Sequence, residues 1–186
     1  MGGTLFAVRS ASEPPLIAPD LEQFVGCELP CWNGIHPNET SIARANRILG
    51  EAGYTLEAPA NTDVVFYRYQ PPIPQTCAVQ LDVRDTIVRR IRLEQCPPTR
   101  IGDLIRVLGA PSGVLVERSG LAFADGIAIA FLFPGPCDRI YKPDAFVGTI
   151  DLRTEDVLRD YLQPWRGFLD GQYYLPNPQM SIGCQL

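Results

Sequence analysis

The sequence predicts an α+β protein: an antiparallel β-sheet with short helices packed on one face, readable as two tandem helix-plus-strands modules. Three observations predict it. Apolar and polar residues alternate over 79–84 and again on the returning strand at Ile87, Ile91 and Leu93, the pattern of a hairpin with one wet face. Apolar residues recur at i, i+3, i+4 and i+7 in Ile101, Leu104, Ile105 and Leu108, the stripe of an amphipathic helix. The same order of Thr, short helix, Leu-Gly and strands occurs twice, with Ile48-Leu49-Gly50 matched by Val107-Leu108-Gly109, a weak repeat of about 60 residues.

Residues 1–19 form a flexible lead-in, since Pro14, Pro15, Pro19 and small polar residues disfavour regular structure. The first module spans 20–96 and the second 97–186, and together they make one compact unit. A short helix is expected at 20–25, followed by a fixed loop from Cys27 to Pro37. Thr40 is a good N-cap for a helix carrying Ile42, Ala45, Leu49 and Ala52, which ends at Gly50 and Gly53. Val64 to Tyr69 is β-branched and aromatic and reads as a strand. Val79, Leu81 and Val83 follow as the next strand, and Arg84-Asp85-Thr86 turns the chain.

Thr99 is the matching N-cap of the second helix, which Gly109-Ala110-Pro111 stops. Strands are expected over 113–118, 126–133 and 146–152. The middle one is apolar on both faces and reads as a central, doubly covered strand. A short helix from Thr154 ends at Pro164, and an aromatic, proline-containing tail, 165–186, wraps the body.

Composition narrows the function classes. The chain of 186 residues is 46% hydrophobic, carries a formal net charge of -5, and contains no apolar stretch approaching a bilayer span. Its cations are fifteen Arg and Lys142, scattered except for Arg89, Arg90 and Arg92. That group can bind an anion, but it is not the clustered face that nucleic-acid binding needs.

The first eight residues hold an apolar run shorter than a signal peptide requires. The six cysteines nonetheless point to an extracytoplasmic or secreted setting, because an even, dispersed set suits disulfides. A zinc site needs two close pairs, and only Cys27 and Cys31 are close; neither a metal nor a cofactor is expected. Cys77 and Cys96 flank the hairpin and are the best single bridge. Cys137 with Cys184 is the remainder, pinning the tail. Cys27 and Cys31 bond either to each other or to separate partners, since three intervening residues and Pro30 do not match a thioredoxin-type redox pair.

The segment Cys27-Glu28-Leu29-Pro30-Cys31-Trp32-Asn33-Gly34-Ile35-His36-Pro37-Asn38-Glu39-Thr40 resembles a stretch of secreted bacterial proteins in which Cys-Trp precedes Gly-Ile-x-Pro-Gly-x-Thr. Asn38 stands where glycine is usual, and Asn also tolerates left-handed backbone. The helix that follows resembles the first helix of BamE-like and β-lactamase-inhibitor-like modules, small α+β repeats that bind other proteins outside the cytoplasm. The resemblance covers mainly 27–52 and 97–112. It implies an α+β repeat and another extracytoplasmic protein as partner; fold does not fix function.

No catalytic constellation emerges. His36 is the only imidazole, lies in a turn, and has no Gly-x-Ser-x-Gly elbow to serve. The carboxylate pairs Asp82/Asp85 and Glu155/Asp156 have local explanations at a turn and a helix start. No glycine-rich phosphate loop is present. Asn38-Glu39-Thr40 matches a glycosylation sequon but is better explained as turn plus cap. Trp32, Trp165, Phe168, Tyr173 and Tyr174 are the candidate binding aromatics; the competing reading buries Trp32 on a disulfide and uses the rest to hold the tail. The expected function is a non-catalytic binding or structural module of the cell envelope or exterior. The alternatives are an inhibitor of a secreted hydrolase acting through the 134–145 loop, and an enzyme with a carboxylate site.

Overall fold

The structure, a computed structural model, describes residues 19–57, 65–72, 76–96, 99–116, 119–133, 141–154 and 159–169. In chain order these hold α1 (Pro19–Glu22), α2 (Ile42–Glu51), β1 (Thr55–Leu56), β2 (Val65–Gln70), β3 (Ala78–Arg84), β4 (Ile87–Glu94), α3 (Ile101–Leu108), β5 (Gly113–Leu115), β6 (Gly120–Phe123), β7 (Ala128–Leu132), β8 (Val147–Arg153) and β9 (Gln163–Pro164). Among the described residues, one nine-stranded sheet runs β1-β2-β3-β4-β8-β7-β6-β5-β9. All its pairings are antiparallel.

Alternation sets the core. Val79, Leu81 and Val83 of β3 face Leu93, Ile91 and Val88 of β4, and all six are buried. Ile150 and Leu152 of β8 extend that layer next to β4, and Ala128, Ala130 and Leu132 of β7 extend it further. Ala45 and Leu49 of α2 and Ile101 and Leu104 of α3 belong to the same cluster. The doubly apolar strand β7 lies inside the sheet between β6 and β8, as its composition predicts. Asp85 and Thr86, at φ 52° and 64°, close the β3–β4 hairpin in a two-residue turn between the paired Arg84 and Ile87.

The starts of α2 and α3 are tied to β4 and β8, respectively, by matching bonds. Val88 N–H donates to Thr40 O at 2.9 Å, and Val147 N–H donates to Thr99 O at 2.8 Å. Ile42 N–H donates to Thr86 O, and Ile101 N–H to Ala145 O. The isolated bridges Ser41–Ile87 and Arg100–Phe146 complete the two sets. Every residue in the first set precedes its counterpart by 59 positions. The β4–β8 register obeys the same shift: Arg92 and Asp151, themselves 59 apart, pair with each other, and Ile91 faces Leu152 where Leu93 faces Ile150. The register also slips at matching places, between Asp82 and Val83 and between Phe131 and Leu132.

Four expectations are corrected. The expected helix at 20–25 is the single turn Pro19–Glu22, followed by hydrogen-bonded turns to Cys27. Ser41, not Thr40, caps α2 by accepting from Arg44 N–H; Thr40 is buried, and its Oγ1 accepts the His36 N–H at 2.8 Å. Arg100 occupies the N-cap of α3 without a side-chain bond, and Thr99 is buried behind it. In the expected terminal helix, residues 155–158 lie outside the described set, Arg159–Tyr161 is one 3₁₀ turn, and Pro164 joins edge strand β9 against Gly113. Proline suits that place, because an edge strand can spare a donor.

Candidate functional site

The pleat that sends β3, β4 and β8 apolar residues to the core sends Gln80, Asp82, Arg90, Arg92, Asp151 and Arg153 to the opposite face, with Arg68 of β2 beside Gln80. These side chains form a connected ionic network. Asp151 is fully buried at its centre. Its Oδ1 accepts from Arg90 Nε at 2.6 Å, and its Oδ2 accepts from the Arg90 and Arg153 terminal nitrogens. Arg90 also reaches Asp82 at 3.6 Å. The hydrogen bond to Asp151 holds the Arg90 guanidinium above its ordinary pKa, against the opposing effect of burial.

Farther out, Arg68 lies 3.7 Å from Glu94 and 3.8 Å from Glu57, and Arg92 lies 3.6 Å from Glu94. The cations Arg68, Arg90, Arg92 and Arg153 are matched by Glu57, Asp82, Glu94 and Asp151. The outer part is half exposed, with Arg68 and Glu57 side chains at 42% and 44%. Such a face suits a partner of mixed charge. Charge-assisted bonds are the strong ones, and bidentate Arg–carboxylate geometry fixes orientation. Three guanidinium N–H groups converge on Asp151.

On the same side of the sheet, β5, β6 and β7 present apolar residues. Ile129, Ala122 and Leu115 are buried there, and Phe131 is half-buried. The same side of the sheet therefore changes from charged to apolar between β4 and β7.

A second feature is a pocket of about 280 Å³ beside the first cysteines, lined by Glu22, Glu28, Asn33, His36, Cys27 and Cys31 among others. Cys27 is bonded to Cys31, with a Cα–Cα distance of 5.4 Å. Phe24, Trp32 and Ile35 are buried in the adjacent core. Asn33 and Gly34, at φ 50° and 71°, make the tight turn between the bridged Trp32 and Ile35.

The expected residues are dispersed. Cys77–Cys96 closes the hairpin, at a Cα–Cα distance of 4.1 Å. Cys137, Cys184, Tyr173, Tyr174, Glu155, Asp156 and residues 134–140 of the candidate inhibitory loop lie outside the described residues. Trp32 is fully buried, edge-on to Tyr54 with ring centroids 6.3 Å apart. Trp165 meets Phe168 edge-on at 5.5 Å, and Phe168 is 39% exposed. Asp82 enters the ionic network, whereas Asp85 is in the turn, 3.9 Å from Arg89. Among the described residues, no cluster of His, Cys, Asp or Glu is arranged to hold a metal, and no helix is long and apolar enough to cross a membrane.

Sequence reasoning missed Asp151 and Arg153. The signal is there in part: the Arg89, Arg90 and Arg92 group can bind an anion, and for Arg90 that anion is a carboxylate of the chain itself. No family model, curated protein or solved structure matches the chain.

Proposed function

We propose that the protein is a non-catalytic binding module of the cell envelope or exterior, made of two tandem α+β units with their helices on one sheet face and another protein bound on the other. The observation that carries this reading is the partly exposed ionic face around Arg68, Arg92 and Glu94, whose side chains are 42%, 28% and 25% exposed, joined to the network centred on buried Asp151. A face of interlocked charges gives a partner register and orientation, the main service of charged groups at interfaces. The 59-residue spacing of matched hydrogen bonds supports the tandem arrangement. The likeness to BamE-like and β-lactamase-inhibitor-like modules points the same way. The bonds Cys27–Cys31 and Cys77–Cys96 support an oxidising compartment, where disulfides persist.

Photo-crosslinkers placed at Arg68 and Arg92 and exposed to an extracytoplasmic fraction of the native host test the reading. One discrete crosslinked protein is expected from each site, lost on reversal of the other Arg: Arg92→Glu with the crosslinker at position 68, and Arg68→Glu with it at position 92. Crosslinks that survive both reversals, or none at all, would remove this face as the contact surface.

A further inference from the structure

We propose that Cys27–Cys31 is a thiol-exchange site that accepts neutral or cationic low-molecular-weight thiols, with Cys27 attacked and Cys31 leaving. Access sets the direction. Cys27 is half-buried on the pocket wall, whereas Cys31 is 1% exposed. Cys27 is thus the more accessible of the two cysteines on that wall and the one we assign as the site of attack. The other bridge offers no such approach, because Cys77 and Cys96 are 0% and 7% exposed. Exchange rates follow access to the attacked sulfur and the quality of the leaving thiol.

The step balances as ordinary exchange. The incoming thiolate bonds to Cys27 Sγ while the Cys27–Cys31 bond breaks, and its electron pair departs on Cys31 Sγ, which takes a proton from water. A second thiol then displaces Cys27, so two thiols become a disulfide and the protein pair becomes a dithiol.

The fold tolerates the opening. Cys27 N–H bonds Phe24 O, Cys31 N–H bonds Glu28 O, Asn33 N–H bonds Gln23 O, and Trp32 and Ile35 exchange both of their bonds. Phe24, Trp32 and Ile35 anchor the same segment in the core. The segment is thus held by hydrogen bonds and core packing in addition to the disulfide. Charge selects the reagent: Glu22 and Glu28 line the pocket, and among the described residues no Lys or Arg does, so an anionic thiol is repelled over a screening length of roughly 30 Å at about 0.01 M salt.

The test uses the intact protein at low ionic strength, treated with cysteamine or with 3-mercaptopropionate, quenched in acid, alkylated and peptide-mapped. Rates are normalised to each thiol's exchange with a small uncharged disulfide. Cys27–Cys31 is expected to open more than about tenfold faster than Cys77–Cys96, since a buried bridge exchanges only after local opening. The first adduct is expected on Cys27, and cysteamine is expected to react several-fold faster than 3-mercaptopropionate. The doubly substituted Glu22→Gln/Glu28→Gln protein is expected to lose that preference while keeping the order of the bridges. Equal opening of both bridges, a first adduct on Cys31, or a preference for the anionic thiol would each overturn the proposal.

Discussion

Replacing Asp151 with asparagine tests the foundation of the charged face. The carboxylate is fully buried and bonded to both Arg90 and Arg153. Asparagine keeps the volume and removes the charge, leaving two guanidinium groups facing one neutral amide. Removing one partner of a buried pair costs about 3–5 kcal/mol. Here Arg90 retains Asp82 at 3.6 Å and is 29% exposed, and Arg153 is 16% exposed. That partial solvation lowers the expected loss to about 2–4 kcal/mol. For a chain of this size the melting point should fall by roughly 5–12 °C, and the urea midpoint should fall with an unchanged slope. A cycle with Arg90→Gln should give a coupling above about 1 kcal/mol. A loss under about 1 kcal/mol for Asp151→Asn, with no coupling, would refute the view that Asp151 is the foundation of the charged face.

Three further predictions concern stability. Burial pushes the Tyr69 hydroxyl up to about 12, with a smaller contribution from Tyr67. The folded protein thus keeps a proton that the unfolded chain releases near pH 10, so the contribution is intact below pH 10 and is lost as pH rises through 12. Tyr69→Phe should remove about 2–3 kcal/mol of the alkaline decline in urea-measured stability between pH 10 and 12; an unchanged decline would contradict it. Asp85→Asn/Thr86→Gly should stabilise the hairpin by about 1–2 kcal/mol in thermal unfolding, because β-branched Thr86 at φ 64° is strained where glycine is not; a neutral result would argue against strain there. Opening Cys77–Cys96 by Cys→Ser replacement should cost about 3 kcal/mol and opening Cys27–Cys31 about 2 by chain entropy, against sequence separations of 19 and 4; the reverse order in urea unfolding would count against that account.

Local chemistry was legible where it acted alone. The alternation over 79–93 gave the hairpin, and the turn at Asp85-Thr86 fixed its register closely enough to bring Cys77 beside Cys96. The stripe Ile101 to Leu108 gave α3 and its buried face. The capping of α2 was not legible, because Thr40 and Ser41 are both good caps and the choice is made by the His36 N–H that claims Thr40. Strand β9 was hidden because a proline reads as a breaker unless its edge position is known. Asp151 alternated correctly to the polar face, yet its burial depends on Arg90, 61 positions away on a neighbouring strand. No periodicity reports such a contact.

The oxidising setting underlies both the proposed function and the exchange site. It is tested most directly by acid-trapping cells of the native host and mapping the cysteines by mass without reduction. The account predicts Cys77 joined to Cys96 in essentially every molecule, with Cys27–Cys31 bonded in most. Free thiols at Cys77 and Cys96 in freshly trapped material would contradict it.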